Sequence, residues 1–182
     1  DAATYEMIEA DYATKDENSL FTFEITMQNH GGYFQDYDNF EREIELINTD
    51  AEQVDINITE RYLSLVKKSD EAFEDLIQHF ENTDEPVIIL MFGDHQPGDY
   101  ALKAIWRPED DPDIQTLQQR YKVPFVMWAN FDIESEYVEG ISLNYLSTLL
   151  FQKAGVPLTG YQEFLSELHE TFPVINAKGV ID

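Results

Sequence analysis

Six consecutive apolar residues, Val87 to Phe92, run directly into Gly93-Asp94-His95-Gln96-Pro97, and this stretch limits the possible folds more than any other. A strand exposed on one face alternates apolar and polar positions; one apolar at every position is covered on both faces, as in parallel sheets sandwiched between helices. The run is far shorter than the roughly 20 residues of a membrane-spanning helix. A second run, residues 123–129, has the same character and begins Val123-Pro124-Phe125. Pro124 fits there because the first residue of a strand need not donate to the ladder. A third, residues 21–27, alternates Phe21, Phe23, Ile25 and Met27 with Thr22, Glu24 and Thr26, which predicts a half-covered strand near an edge.

Helical spacing separates these runs. Tyr62, Leu63, Val66, Phe73, Leu76, Ile77 and Phe80 recur every three or four residues, predicting a helix over 59–80 with Thr59 as its N-cap. Residues 141–154 repeat the pattern with Leu143, Leu146, Leu149 and Leu150 before Gly155 and Pro157 stop it. Further helices are expected over 161–172 and around 5–12. Segments 31–58 and 96–122 lack a clear period and are expected to be surface excursions. The expectation is an α/β chain: one domain over residues 1–182, with a mostly parallel sheet flanked by helices.

Composition narrows the function. Asp and Glu number 37 against 11 Lys and Arg, a formal net charge of -26 that repels nucleic acid and anionic lipid surfaces. An anionic substrate would therefore need a cation between it and the protein. With no cysteine, thiolate nucleophiles and disulfides are excluded, and the candidate metal ligands are carboxylates and the four histidines. The N-terminus shows no basic region followed by an apolar stretch.

Ligands of open α/β sheets gather beyond the carboxyl ends of the strands. If the three runs are adjacent and parallel, His30, Asp94, His95 and Asn130 share one rim. Asp94 and His95 offer an oxygen and a nitrogen on successive residues, a pair suited to Zn²⁺ or Mn²⁺ but only part of a coordination sphere. The alternative is a turn in which Asp94 caps the following backbone. His30, followed by Gly31-Gly32, is either a ligand-facing histidine or a loop histidine bonded to local backbone. His79 and His169 fall inside helices and carry no assigned role. The acidic clusters 41–45 and 109–113 read as solvated faces with loose cation attraction, and Trp106-Arg107 as a packed aromatic beside a possible phosphate-binding arginine.

Taken together, the Phe21 to His30 stretch, the helix through residues 62–80, the Val87 to Pro97 stretch with its Gly-Asp-His, and the Val-Pro strand with its following helix resemble the lipoteichoic acid synthase family. These are sulfatase-type catalytic domains of the alkaline phosphatase superfamily. The resemblance implies the carboxyl-terminal portion of such a domain, an incomplete alkaline phosphatase/sulfatase-like fold. It implies that Asp94 and His95 bind a catalytic Mn²⁺, or another divalent ion such as Mg²⁺ or Zn²⁺, and that His30 contacts the phosphoglycerol head group or assists proton transfer. The implied reaction moves glycerol phosphate from phosphatidylglycerol to a polyglycerolphosphate acceptor through a phospho-threonine, at the extracellular face of a bacterial membrane. The family's threonine nucleophile and glutamate ligand lie on earlier segments that are not recognised in this sequence, so the chain is expected to be inactive alone, tethered only through segments outside it, and open to self-association at a sheet edge that lacks its neighbours. Rival expectations are a sulfatase or phosphoethanolamine transferase fragment, or a non-catalytic module that binds teichoic acid or cations.

Overall fold

The computed structural model describes residues 1–107, 112–176 and 179–181. They group into two compact units: Asp1–Asn82 with Pro97–Glu109, and Thr83–Gln96 with Asp110–Asp182.

The first unit is organised by one long helix. Helix α1 (Ala2–Thr14) packs against α2 (Gln53–Glu81), with the ring of Tyr12 edge-on to Phe80 at 5.0 Å and His79 Nδ1 3.3 Å from Glu9 Oε2. Leu76 and Phe80 of the expected stripe are buried, whereas Val66 is exposed and Ala72 takes an inward position. The helix starts six residues before Thr59, which is a fully buried interior residue rather than the N-cap. Caps are recognised by residue type, and a buried threonine one turn inside a helix carries the same type.

Segment 31–50 is laid along α2 by polar side chains that the helix itself supplies. Ser64 Oγ, fully buried, accepts the backbone N–H groups of Glu43 and Ile44, each at 3.0 Å, and Glu60 Oε1 accepts that of Leu46 at 2.9 Å. These bonds satisfy backbone donors that would otherwise be costly to bury. Lys67 and Lys68 reach Glu43 at 2.6 and 2.5 Å, so part of the 41–45 acidic cluster is neutralised from α2. The hydrogen bonds from both lysines hold the Glu43 carboxyl down to about 2.

Residues 21–27 form neither helix nor strand, and their alternate residues Phe21, Phe23, Ile25 and Met27 are 61–69% exposed. The expected strand is thus corrected. Alternation marks a polar and an apolar face, but a strand also needs a neighbour for its backbone, and no ladder among the described residues includes this segment.

The second unit contains a two-stranded ladder of β1 (Ile88–Phe92) and β2 (Phe125–Ala129). The two are antiparallel, pairing Ile88 with Ala129 and Phe92 with Phe125, which corrects the expected parallel pairing while the α/β class stands. Consecutive apolar positions do not encode a neighbour's direction, and the expected cover on both faces is also corrected, since Val126 is 44% exposed. The connection between the strands holds, among the described residues, a 3-10 turn and the short helix α3 (Ile114–Gln119). No residue of either strand is fully buried.

Helix α4 (Leu143–Lys153) and α5 (Gly160–Thr171) pack around Tyr145, Leu146 and Leu165, each at most 4% exposed. Gly155, at φ +68°, ends α4: its N–H reaches Gln152 O at 3.2 Å and that of Val156 reaches Phe151 O at 2.9 Å, the paired bonds of a Schellman stop. Thr159 and Gln162 form a capping box at the start of α5. The hairpin of β3 (Val174–Asn176) and β4 (Gly179–Ile181) closes the unit.

Candidate functional site

The residues expected to carry chemistry fall in two regions, one in each unit. In the first, His30 is exposed and sits on a turn closed by its own N–H to Met27 O at 3.1 Å. Gly31 and Gly32 follow with φ of +84° and +83°, a left-handed pair that a residue with a β-carbon would adopt only with strain.

Tyr33 then fixes the turn from inside the core. Its ring is 2% exposed and packs with Ile58, Ala101, Tyr62 and Leu65. Its hydroxyl accepts the Gly31 N–H at 3.0 Å and donates to Asn29 O, so one phenol brackets His30 on both sides. Burial pushes the Tyr33 phenol above its ordinary pKa. The buried Arg61 of α2 supports the same loop, donating to Tyr33 O at 3.1 Å and to Asp36 Oδ1 through Nε at 2.9 Å. Gln28 and Asn29 both donate to Ser69 Oγ, at 3.0 and 2.8 Å. A cleft of about 320 Å³ beside the loop is lined by Gly31, Gly32, Tyr37, Phe40, Arg61 and Lys68, among others.

In the second unit, Asp94 and His95 follow β1. Gly93 N donates to Pro124 O at 3.1 Å, and a β-carbon on Gly93 would lie 3.1 Å from Val123 Cβ. Glycine is needed there for close approach of two chain segments, not for a left-handed turn. Asp94 Oδ1 accepts the His95 N–H at 2.8 Å, so the capping turn is present. The other oxygen, Oδ2, stands 3.4 Å from His95 Nε2, and both side chains are well exposed, 77% and 64%.

The pair also fits a metal. His95 Nδ1 lies 2.9 Å from Gln96 O, a carbonyl that can only accept, so Nδ1 donates there and Nε2 is the ring nitrogen turned toward Asp94. Two donors about 2.1 Å from an ion at the tetrahedral angle are about 3.4 Å apart, the spacing of Oδ2 and Nε2. The geometry offers two donor atoms; no group of three or more His, Cys, Asp or Glu with metal-holding geometry occurs among the described residues.

Asn130 does not join that rim. The antiparallel ladder places it beside Val87, whose N–H donates to Asn130 Oδ1 at 2.8 Å, while Asn130 Nδ2 reaches Thr83 Oγ1 at 2.9 Å. It therefore staples the loop at the start of β1, roughly 20 Å of extended chain from the dyad. His169 packs on Tyr145, and Asp113 caps α3 by accepting the Thr116 N–H at 2.7 Å, which lowers its carboxyl pKa. Glu109, Asp110 and Asp111 of the second acidic cluster lie outside the described residues.

Gln96 was unassigned in the sequence although it adjoins the dyad. Its Nε2 donates to Gln119 O at 2.9 Å and Lys122 O at 2.7 Å, and its Oε1 accepts from Arg120 at 2.5 Å. No sequence signal marks these bonds, since they depend on where residues 119–122 return.

Comparison with known proteins places these residues in context. A model of the sulfatase family matches residues 1–156. A Rhizobium meliloti (strain 1021) protein whose name connects it with cyclic beta-1,2-glucan modification is 25% identical over 88% of this chain and 26% of its own length. The capsular polysaccharide biosynthesis protein RkpI of the same organism is 33% identical over 53% of this chain and 15% of its own length. Among solved structures, the Streptococcus pyogenes phosphoglycerol transferase GacH, in complex with sn-glycerol-1-phosphate, superposes with a TM-score of 0.72 at 19% identity. That match covers 97% of this chain and 44% of the other. The chain thus spans less than half the length of each of these proteins.

Proposed function

Because the chain belongs to the sulfatase family, we propose that it is part of a divalent-metal-dependent phosphoglycerol transferase in which Asp94 and His95 are metal ligands and His30 meets the head group. The observation that carries the reading is the 3.4 Å spacing of Asp94 Oδ2 and His95 Nε2 directly after a sheet strand, with His95 Nδ1 held by Gln96 O. The ion, Mn²⁺ in the first instance, supplies the positive charge that a protein of net charge -26 lacks for holding a phosphodiester.

The chain's own residues do the rest of what is proposed here. Asp94 provides a hard oxygen donor, and His95 a nitrogen donor held by Gln96 O. His30, on a turn fixed by the Tyr33 hydroxyl, orients the glycerol phosphate head group or carries a proton to or from it. The donor is phosphatidylglycerol and the acceptor a polyglycerolphosphate chain, as in lipoteichoic acid synthesis, at the extracellular face of the membrane. Among the described residues no helix is long and apolar enough to cross a membrane.

A second reading changes only the acceptor. The names of the two Rhizobium relatives refer to a cyclic glucan and a capsular polysaccharide, which favours a glycan hydroxyl in place of a glycerol hydroxyl. Both readings are tested by giving the full-length protein Mn²⁺ and phosphatidylglycerol labelled in its head group, with polyglycerolphosphate or a β-1,2-glucan as acceptor. The expected result is diacylglycerol release with label passing to one acceptor. Cleavage of an aryl sulfate without turnover of the lipid would replace both readings with that of a sulfatase.

A further inference from the structure

Asp94 and His95 are borne on a short bridge whose two ends are tied to the same returning segment. At one end the Gly93 N–H meets Pro124 O, and at the other Gln96 reaches Gln119 O and Lys122 O. The Gln96 amide uses both ends: two N–H donors to two carbonyls, and an oxygen accepting from Arg120. Those carbonyls lie at and just beyond the end of α3; Gln119 O also accepts the Lys122 N–H at 3.1 Å. The backbone carbonyl of the same residue takes the His95 Nδ1 hydrogen. Position 96 therefore couples where residues 119–122 lie to which nitrogen of His95 is presented.

We infer that Gln96 is a positioning residue for the Asp94–His95 metal dyad: its side chain locks the bridge to residues 119–122, so that its own carbonyl orients the His95 ring with Nε2 toward Asp94. Arg120 belongs to the same device, since a guanidinium can only donate and so holds the amide with its oxygen toward Arg120 and its nitrogen toward the carbonyls. The inference rests on the proposed metal role of the dyad and adds the residue that sets it. Outer partners of metal-bound histidines typically contribute 10- to 100-fold in metal affinity.

The test uses the full-length protein with ¹⁵N-labelled histidine and Mn²⁺ as the probe, comparing wild type, Gln96→Ala, Gln96→Glu and Asp94→Ala. In wild type without metal, His95 Nδ1 shows the ¹⁵N shift of a ring nitrogen hydrogen-bonded to a carbonyl. In both Gln96 variants that shift moves, and Mn²⁺ binds about 10- to 100-fold more weakly. Gln96→Glu fails with Gln96→Ala because a carboxylate cannot donate to Gln119 O and Lys122 O. Unchanged His95 shifts and Mn²⁺ affinity in the Gln96 variants, with affinity lost in Asp94→Ala, would overturn the positioning role and leave the metal reading standing. Undiminished Mn²⁺ binding in Asp94→Ala would overturn the metal reading itself.

Discussion

The His30 turn and the Asp94–His95 bridge solve the same problem, holding an exposed imidazole still, by opposite means. The His30 turn is fixed from the core: the phenol that brackets it is 2% exposed, and the arginine behind it is buried in α2. The Asp94–His95 bridge is fixed from the surface by one glutamine amide and by backbone bonds at its ends. Position at the first should therefore be lost only with global stability. Position at the second can be lost while the fold persists.

The strongest break in this comparison is Asp94→Ala in the full-length protein. Its side chain is 77% exposed, so the melting temperature should hardly move, while turnover falls by more than about 100-fold, the upper range for outer partners of a metal. Retained activity with a large loss of stability would make the dyad structural. Next is Tyr33→Phe, which keeps the ring and deletes the hydroxyl. It leaves Asn29 O and Gly31 N without their partner and should cost about 1–3 kcal/mol in denaturant unfolding. Gln96→Ala should cost less, about 0.5–1.5 kcal/mol in the same measurement, because its bonds to Gln119 O and Lys122 O are open to water. Equal costs for the two would erase the distinction drawn between core and surface control.

Much of this contrast could not be read from the sequence. The runs at 87–92 and 123–129 marked β1 and β2, and Gly155 marked the end of α4, because apolar runs and a left-handed stop are written in residue type. The direction of β2 was not, since a strand apolar on both faces looks the same read either way along its neighbour. Asn130 was misplaced for that reason alone. Ser64 and Arg61 gave no signal because a polar residue on a helix ordinarily faces water, and only the return of segment 31–50 makes them interior. Asp94 and His95 were legible as a pair, Gln96 only as a neighbour. The Phe21 to Met27 alternation was visible, but its partner is not something a pattern can supply.

Two finer measurements sharpen the same comparison. Gly31→Ala places a β-carbon at φ +84° and should cost about 1–2 kcal/mol through backbone strain. Gly93→Ala forces Val123 to give way across a 3.1 Å contact; its expected signature is a shift in the amide resonances of residues 93–96 and 122–124. The smallest effect is acid sensitivity of the strap over α2. The Glu43 carboxyl is held at about 2 in the folded chain, below its ordinary value of 4.5. A depressed carboxyl stabilises above its unfolded pKa and loses that contribution as pH falls through the folded one. Protection of the Glu43 and Ile44 amides from hydrogen exchange should therefore decline between pH 4.5 and about 2, ahead of the amides of α4. In alkali the sign reverses for Tyr33: its raised pKa means stability is lost as pH climbs past the ordinary tyrosine value of 10.0.

The claim that the chain holds a catalytic cation at Asp94 and His95 is tested most directly by electron–nuclear double resonance of Mn²⁺ bound to full-length protein carrying ¹⁵N-histidine. The account predicts a ¹⁵N coupling that disappears in His95→Gln and survives in His169→Gln. A coupling unchanged in His95→Gln, with Mn²⁺ bound as tightly as before, would contradict it.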